Sequence, residues 1–300
     1  MSFGHFNYHQ PSTTAEACAL GLKFGRKSAY LAGGTELLVD LRSGRKEVCH
    51  VISLGGLDEL KHIHVEDDVL RIGALVTLSD IAESAAVKSF FPALGEAIGT
   101  MAGRQIRNLG TMGGNFCCGV PCSDTPPISC AAGAEVNLTG PEGSRNVAAQ
   151  KFVLAPRVTV LDPGEILTEI RFPKQPAGSG ASFQRFSLRR GSALAVASVS
   201  AWVRMEVGNI AEARIYLGSV GPTPLPATGA ASHLAGQKPG DELFAETGAK
   251  AAAEAQPISD LRGSEQYRRD VVQVLTARAL TQACLRAEGN RRWAARTTRP

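Results

Sequence analysis

Two stretches decide the fold: Leu31-Ala32-Gly33-Gly34-Thr35-Glu36-Leu37-Leu38 and Gln105-Ile106-Arg107-Asn108-Leu109-Gly110-Thr111-Met112-Gly113-Gly114-Asn115. In each, a glycine pair is expected just after a strand-like run and precedes a hydroxyl, carboxylate or amide side chain. Adjacent glycines let the backbone approach a ligand closely and offer bare N–H groups to anionic oxygens. Two such loops in one chain point to a diphosphate held from both sides, and hence to a dinucleotide. The plainer alternative is a pair of ordinary glycine turns, because either motif alone is weak.

Around the first pair the pattern predicts a small βαβ-like unit. Thr13 and Glu16 have capping-box spacing for a helix that ends at Gly25, and Ala29 to Leu31 form a strand into the loop. Glu36 to Arg42 form a helix closed by Gly44, and Val48 to Leu54 return as a strand. Further on, 62–66 and 69–73 flank the Asp67-Asp68 turn of a hairpin. Helices are expected over 78–84 and 94–102, and strands over 134–139 and 165–172. Pro173 to Gly180 is the linker candidate. Beyond it, strands over 182–188, 194–206 and 210–220 precede helices over 224–234, 242–255 and 264–287. The last helix should bury Tyr267, Val271, Val274 and Leu275. Strands first and helices after give an α+β layer with helices on one face of an antiparallel sheet.

Composition narrows the class. In 300 residues, 44% hydrophobic content supports folded cores, and a net charge of +4 spread along the chain gives no nucleic-acid footprint. The one basic cluster is the tail, with Arg286, Arg291, Arg292, Arg296 and Arg299, which reads as a solvated terminus. No apolar run is long enough to span a membrane, and Met1 to His5 lack the features of a secretory signal. Seven irregularly spaced cysteines suit reduced thiols, so the cytoplasm is the expected compartment. Neither glycine stretch fits Gly-x-Gly-x-x-Gly or a phosphate loop, and no hydrolase elbow or His-Glu-x-x-His motif occurs.

Taken together, and extended by Ser123-Asp124-Thr125-Pro126-Pro127, Gly133-Ala134-Glu135-Val136, Gly164-Glu165-Ile166-Leu167 and Gly218-Ser219-Val220-Gly221-Pro222-Thr223-Pro224, these motifs resemble the FAD-carrying medium subunit of the molybdenum hydroxylases. That family includes xanthine dehydrogenase and carbon monoxide dehydrogenase, and the resemblance runs essentially end to end. It implies an α+β chain with a vanillyl-alcohol-oxidase-type FAD domain over 1–176, in subdomains of about 1–56 and 57–176. A carbon monoxide dehydrogenase flavoprotein C-terminal domain over 181–288 would follow, with a three-stranded antiparallel sheet and helices on one face, then a basic tail over 289–300.

On matched positions, Ala32, Gly33, Gly34, Thr35, Glu36 and Leu37 would wrap the pyrophosphate and ribityl region. Thr111, Gly113, Gly114 and Asn115 would hold the diphosphate from the other side, with Cys118 and Ser123 pressed against the cofactor. Asp124 would accept from ribose hydroxyls. Arg185 would stand near the polar edge of the flavin, where a cation stabilises a reduced, anionic ring. Met101 and Leu194 would flank the ring by van der Waals packing. Each has a structural alternative: Thr35 and Thr111 as caps, Asp124 as a helix N-cap, and Arg185 as an ion-pair residue.

The resemblance implies no catalytic residue and no metal ligand in this chain. Electrons would arrive from the [2Fe–2S] clusters of a small subunit, after a large molybdopterin subunit oxidises the substrate. FAD would pass them to an external acceptor such as NAD, oxygen or a quinone. The assembly would be a hetero-oligomer, a dimer of heterotrimers. One branch of the family carries an extra [4Fe–4S] cluster, and Cys117, Cys118, Cys122 and Cys130 invite that comparison. The segment from Gly114 to Val136 has the uninserted length, so buried thiols are the expected reading. A self-contained flavoenzyme is the remaining alternative, and none of the six histidines lies in a motif that would serve it.

Overall fold

The computed structural model describes residues 4–189 and 191–289. Strand β1 (Asn7–His9), helix α1 (Thr14–Phe24), β2 (Ser28–Leu31), α2 (Leu37–Ser43) and β3 (His50–Ser53) form the first layer, a parallel sheet of order β1-β3-β2. Thr13 caps α1 by accepting from the Glu16 N–H. The capping box is only half formed, because the Glu16 carboxylate accepts from the Ser12 N–H at 2.8 Å and not from Thr13. The βαβ reading of this region is correct: β2 and β3 are parallel neighbours, and the glycine pair is the turn between β2 and α2.

The second layer is a five-stranded antiparallel sheet of order β4-β5-β10-β6-β7, built from β4 (Ile63–Glu66), β5 (Val69–Gly73), β6 (Glu135–Gly140), β7 (Gly143–Ala148) and β10 (Ile166–Pro173). Asp67 and Asp68 both take positive φ, 49° and 59°, as the two-residue hairpin turn requires. Between β5 and β6 run α3 (Leu78–Glu83), α4 (Ala85–Phe90), α5 (Pro92–Thr100), α6 (Arg104–Arg107), α7 (Met112–Cys117) and α8 (Thr125–Ala132). Leu70, Ile72, Val136, Leu138 and Ile170 of the sheet share one buried cluster with Leu94, Ile98 and Ile128 of these helices. The small hairpin β8 (Val153–Ala155) and β9 (Val158–Thr159) stands before β10. The second glycine stretch does not follow a strand: it follows the one-turn helix α6, and Thr111 makes only a single bridge with Thr77.

The third layer holds β11 (Ser179–Phe186), β12 (Ala197–Glu206), β13 (Asn209–Gly218) and β14 (Leu225–Pro226), then α9 (Thr228–His233), α10 (Asp241–Glu254) and α11 (Glu265–Ala287). The sheet therefore has four antiparallel strands rather than three, because Leu225 and Pro226 pair with β13 before α9 begins. The linker is also shorter than its composition suggests, since Pro173 belongs to β10 and Ser179 to β11.

Alternation along β12 explains the packing. Ala197, Val199, Ala201 and Val203 face α10 and α11, whereas Trp202 joins Ala181, Phe183 and Tyr216 in the core shared with the second layer. The sheet is covered on both faces, one by its own helices and one by α5 and α8. The expected face of α11 is corrected in the same way. Leu275 is buried, but Tyr267 and Val274 are exposed, and the buried stripe runs through Arg268, Val272, Leu275, Ala279, Leu280 and Ala283. A buried arginine heads that stripe because its guanidinium bonds the Val196 and Ser219 carbonyls and the Asp260 carboxylate. Of the basic cluster, Arg286 pairs with Glu96, and the other four arginines lie outside the described residues.

Candidate functional site

The first glycine turn carries unspent donors. Gly34 takes φ +75°, a conformation that favours glycine. Regular helical bonding begins only at Leu38, whose N–H donates to Gly34 O. Among the described residues, no protein group accepts from the backbone N–H groups of Gly33, Gly34, Thr35, Glu36 and Leu37. All five positions are half-buried. Successive unpaired N–H groups in a turn form an anion-binding concavity, and a diphosphate fits that donor set. The Glu36 side chain points elsewhere, to Arg157 at 2.8 Å.

The second stretch is built differently. Met112 donates its N–H to Val76 O, Gly113 to Ala74 O, Gly114 to the Thr111 hydroxyl and Asn115 to Thr111 O. These four donors are already committed. Thr111 is the N-cap of α7, which is the structural alternative raised for it. Gly113 permits close packing, since a Cβ there would sit 2.7 Å from Ala74 Cβ. What this stretch adds is a wall. A Cβ on Gly33 would lie 1.7 Å from Leu109 O, so the two glycine segments touch backbone to backbone. Asn115 then links onward, as its Oδ1 accepts from both the N–H and the hydroxyl of Thr125.

Asp124 and Arg185 are paired directly. Arg185 Nε donates to Asp124 Oδ2 at 3.0 Å, and both side chains are almost closed to solvent. Asp124 precedes α8 but makes no side-chain cap bond. Its second oxygen, Oδ1, is buried without a partner among the described residues. Burial pushes this carboxyl up to about 6, with Arg185 pulling in the opposite direction. An unpartnered buried carboxylate oxygen is costly unless a ligand hydroxyl completes it.

The Arg185 fork gathers the rest of this end. Its Nη1 donates to Thr100 O and its Nη2 to Ala193 O, which brings the Thr100-Met101 and Ala193-Leu194 backbones together. Met101 is buried and Leu194 is 58% exposed. Arg107 holds the same turn from behind, donating to Met101 O and Ala102 O.

Sequence reasoning missed Arg157. This residue, in the β8–β9 turn, donates its N–H to Gly119 O and its guanidinium to Glu36 and Asp40, each at 2.8 Å. It therefore ties the loop after α7 to the helix after the first glycine turn. The neighbouring cysteines are free. Cys118 Sγ contacts Asn115 O and the buried Ser123 hydroxyl, each at 3.2 Å. Burial raises the thiols of Cys118 and Cys122 and pushes Cys130 up to about 12, so all three are protonated at neutral pH. Among the described residues, no three His, Cys, Asp or Glu side chains are placed to share a metal ion.

Residues 4–175 match the model of the FAD binding domain in molybdopterin dehydrogenase. Residues 182–283 match the carbon monoxide dehydrogenase flavoprotein C-terminal domain. The chain belongs to the FAD-binding medium subunits of the molybdenum hydroxylases. It is 33% identical to the carbon monoxide dehydrogenase medium chain of Hydrogenophaga pseudoflava, covering 94% of this chain and 98% of the relative. It is 29% identical to the xanthine dehydrogenase FAD-binding subunit of Escherichia coli O157:H7, covering 96% and 99%. Among solved structures, it superposes on carbon monoxide dehydrogenase from Hydrogenophaga pseudoflava with a TM-score of 0.92, at 33% identity over 95% of this chain and 99% of the other. Quinoline 2-oxidoreductase from Pseudomonas putida 86 gives 0.90 at 26% identity, over 97% and 99%. As a medium subunit, the chain is a flavoprotein component of an oxidoreductase complex, with FAD as its cofactor.

Proposed function

We propose that this subunit takes electrons from the iron–sulfur clusters of a small partner and delivers them, through FAD, to an external acceptor. The observation that carries the proposal is the set of five backbone donors, Gly33 to Leu37, with no acceptor among the described residues. Bound FAD supplies the capacity to take electrons singly and release them in pairs.

The chain's residues hold, orient and shield. The N–H groups of Gly33 to Leu37 donate to diphosphate oxygens, and Ala32 leads the chain into the turn. Thr111, Gly113, Gly114 and Asn115 form the facing wall, with Cys118 and Ser123 behind it. Asp124 Oδ1 accepts from a cofactor hydroxyl. Arg185 neutralises Asp124 and sets a positive charge at that end of the cleft. Met101 and Leu194 exclude water from the ring. The substrate is oxidised on a large molybdopterin subunit, so this chain needs no general base. The histidine bonds lie within the chain: His62 bonds Glu169, His233 bonds Glu246, and His9 bonds His50. The protonated thiols suit a reducing cytoplasm.

The test is reconstitution. The FAD-loaded chain is mixed with its large and small partner subunits and the substrate of the complex, and flavin absorption is followed without oxygen. Bleaching that requires the iron–sulfur subunit supports the proposal. Bleaching by substrate with this chain alone contradicts it and favours a self-contained flavoenzyme.

A further inference from the structure

Arg107 closes α6 and is half-buried. Its Nη1 donates to Met101 O at 2.6 Å and to Ala102 O at 3.4 Å. Arg185 Nη1 takes the carbonyl before them, Thr100 O, at 3.2 Å. Three successive carbonyls at the end of α5 are therefore held by two guanidinium groups. Within this turn Ala102 takes φ +46°, a left-handed conformation that a residue with a Cβ rarely adopts. Backbone strain of this kind persists only where the surroundings enforce it, and it gathers at functional sites.

The arginines around this turn differ in their counter-ions. Arg185 is paired with Asp124, so a carboxylate opposes its charge. Arg104, three positions before Arg107, is paired with Glu83. Among the described residues, the Arg107 side chain bonds only carbonyls and pairs with no carboxylate. The negative end of the α5 dipole amounts to about half a charge and offsets it only in part. A net positive charge thus remains beside Met101, which the proposed function sets against the flavin ring. Being half-buried, it is screened less than an exposed cation.

We infer that Arg107 tunes the flavin: its unopposed charge, fixed by the Met101 and Ala102 carbonyls, favours the reduced ring over the oxidised one. Two electrons and one proton turn the neutral ring into a monoanion, and a nearby cation attracts the product but not the reactant. The inference rests on the proposed placement of the ring at Met101. It gives Arg107 an electrostatic task that the resemblance implied for Arg185 alone.

The experiment is a potentiometric titration, against reference dyes without oxygen, of the FAD-loaded full chain. Wild type is compared with Arg107→Gln and Arg107→Lys. Glutamine keeps a donor for Met101 O and drops the charge, whereas lysine keeps the charge and drops the planar fork. We expect the Arg107→Gln flavin to be harder to reduce by about 20 mV, about a fivefold loss in binding of reduced relative to oxidised FAD. Arg107→Lys should stay within about 1.5-fold of wild type on the same scale. An unchanged potential in Arg107→Gln overturns the inference and leaves Arg107 as a cap of α5. An equal shift in Arg107→Lys overturns it too, because geometry rather than charge would then set the potential. Arg107→Met, which also lacks the charge, carries the same expectation should Arg107→Gln fail to fold. None of these outcomes bears on the electron path proposed above, which is decided by reconstitution with the partner subunits. A wild-type chain that takes up no FAD would overturn both.

Discussion

Arg185 Nε lies 3.0 Å from Asp124 Oδ2, joining the third layer to the segment that leads into α8. The same guanidinium holds the Thr100 and Ala193 carbonyls, so one side chain sets the relation of three segments around the cleft. A buried pair of this kind is weak in net stability yet costly to break on one side. Arg185→Met should therefore destabilise the chain by about 3–5 kcal/mol, because it leaves the Asp124 carboxylate buried and alone. Urea unfolding of Arg185→Met, Asp124→Leu and the double variant checks this. The double variant should lose less than the sum of the singles, and strict additivity would contradict the pairing.

The pH dependence follows from the same carboxyl. Folding raises Asp124 from its ordinary 3.8 to about 6, so the folded chain holds this proton more tightly than the unfolded one. The contribution is therefore fully present below 3.8 and is lost as pH rises through about 6. Glu165 and Asp260, which arginines hold below the usual carboxylate range, slope the other way. The informative quantity is thus the difference between wild type and Asp124→Asn. Wild-type cofactor-free protein should lose ground to the variant between pH 4 and pH 6, as read from urea midpoints. A pH-independent difference would count against the burial of Asp124.

Gly33 and Gly34 should fail in different ways. An alanine Cβ at Gly33 would drive into Leu109 O, which is backbone and cannot swing aside. Gly33→Ala should cost at least about 3 kcal/mol and lower the Tm even without cofactor. At Gly34 the nearest obstacles to a Cβ are the Leu38 and Leu31 side chains, so the fold gives way more readily there.

Arg157 separates affinity from stability. Its side chain is 48% exposed, so its ion pairs to Glu36 and Asp40 are screened by solvent. Arg157→Ala should cost only about 1 kcal/mol in global stability. Its loss frees α2 from the loop at Gly119, so FAD should bind at least about tenfold more weakly. Flavin fluorescence quenching on titration measures that affinity.

Much of the architecture was legible because it rests on local rules. The Asp67-Asp68 turn, the Gly44 helix stop and the β2–glycine–α2 unit each follow from a few adjacent residues. Leu225 and Pro226 were not legible as a strand, since two residues carry no alternation and their pairing with β13 is purely tertiary. The face of α11 was misread because Arg268, a residue type expected outside, is buried by three specific acceptors. At the site, the glycine stretches were plain in the sequence, but the unequal use of their N–H groups was not. That difference depends on Ala74 and Val76, which lie more than thirty positions away in the chain. The one local hint of Arg157 was Pro156 before it, a turn signal, and the residue does take φ +63°. Its partners, 117 and 121 positions away, gave no signal at all.

The most direct measurement is the FAD content of purified Gly34→Asp beside wild type. The account predicts about one FAD per wild-type chain, with flavin absorption, and a folded but colourless variant, because a carboxylate in the donor turn repels the diphosphate. A wild-type chain that folds yet binds no added FAD, or a Gly34→Asp chain that keeps its full complement, would contradict it.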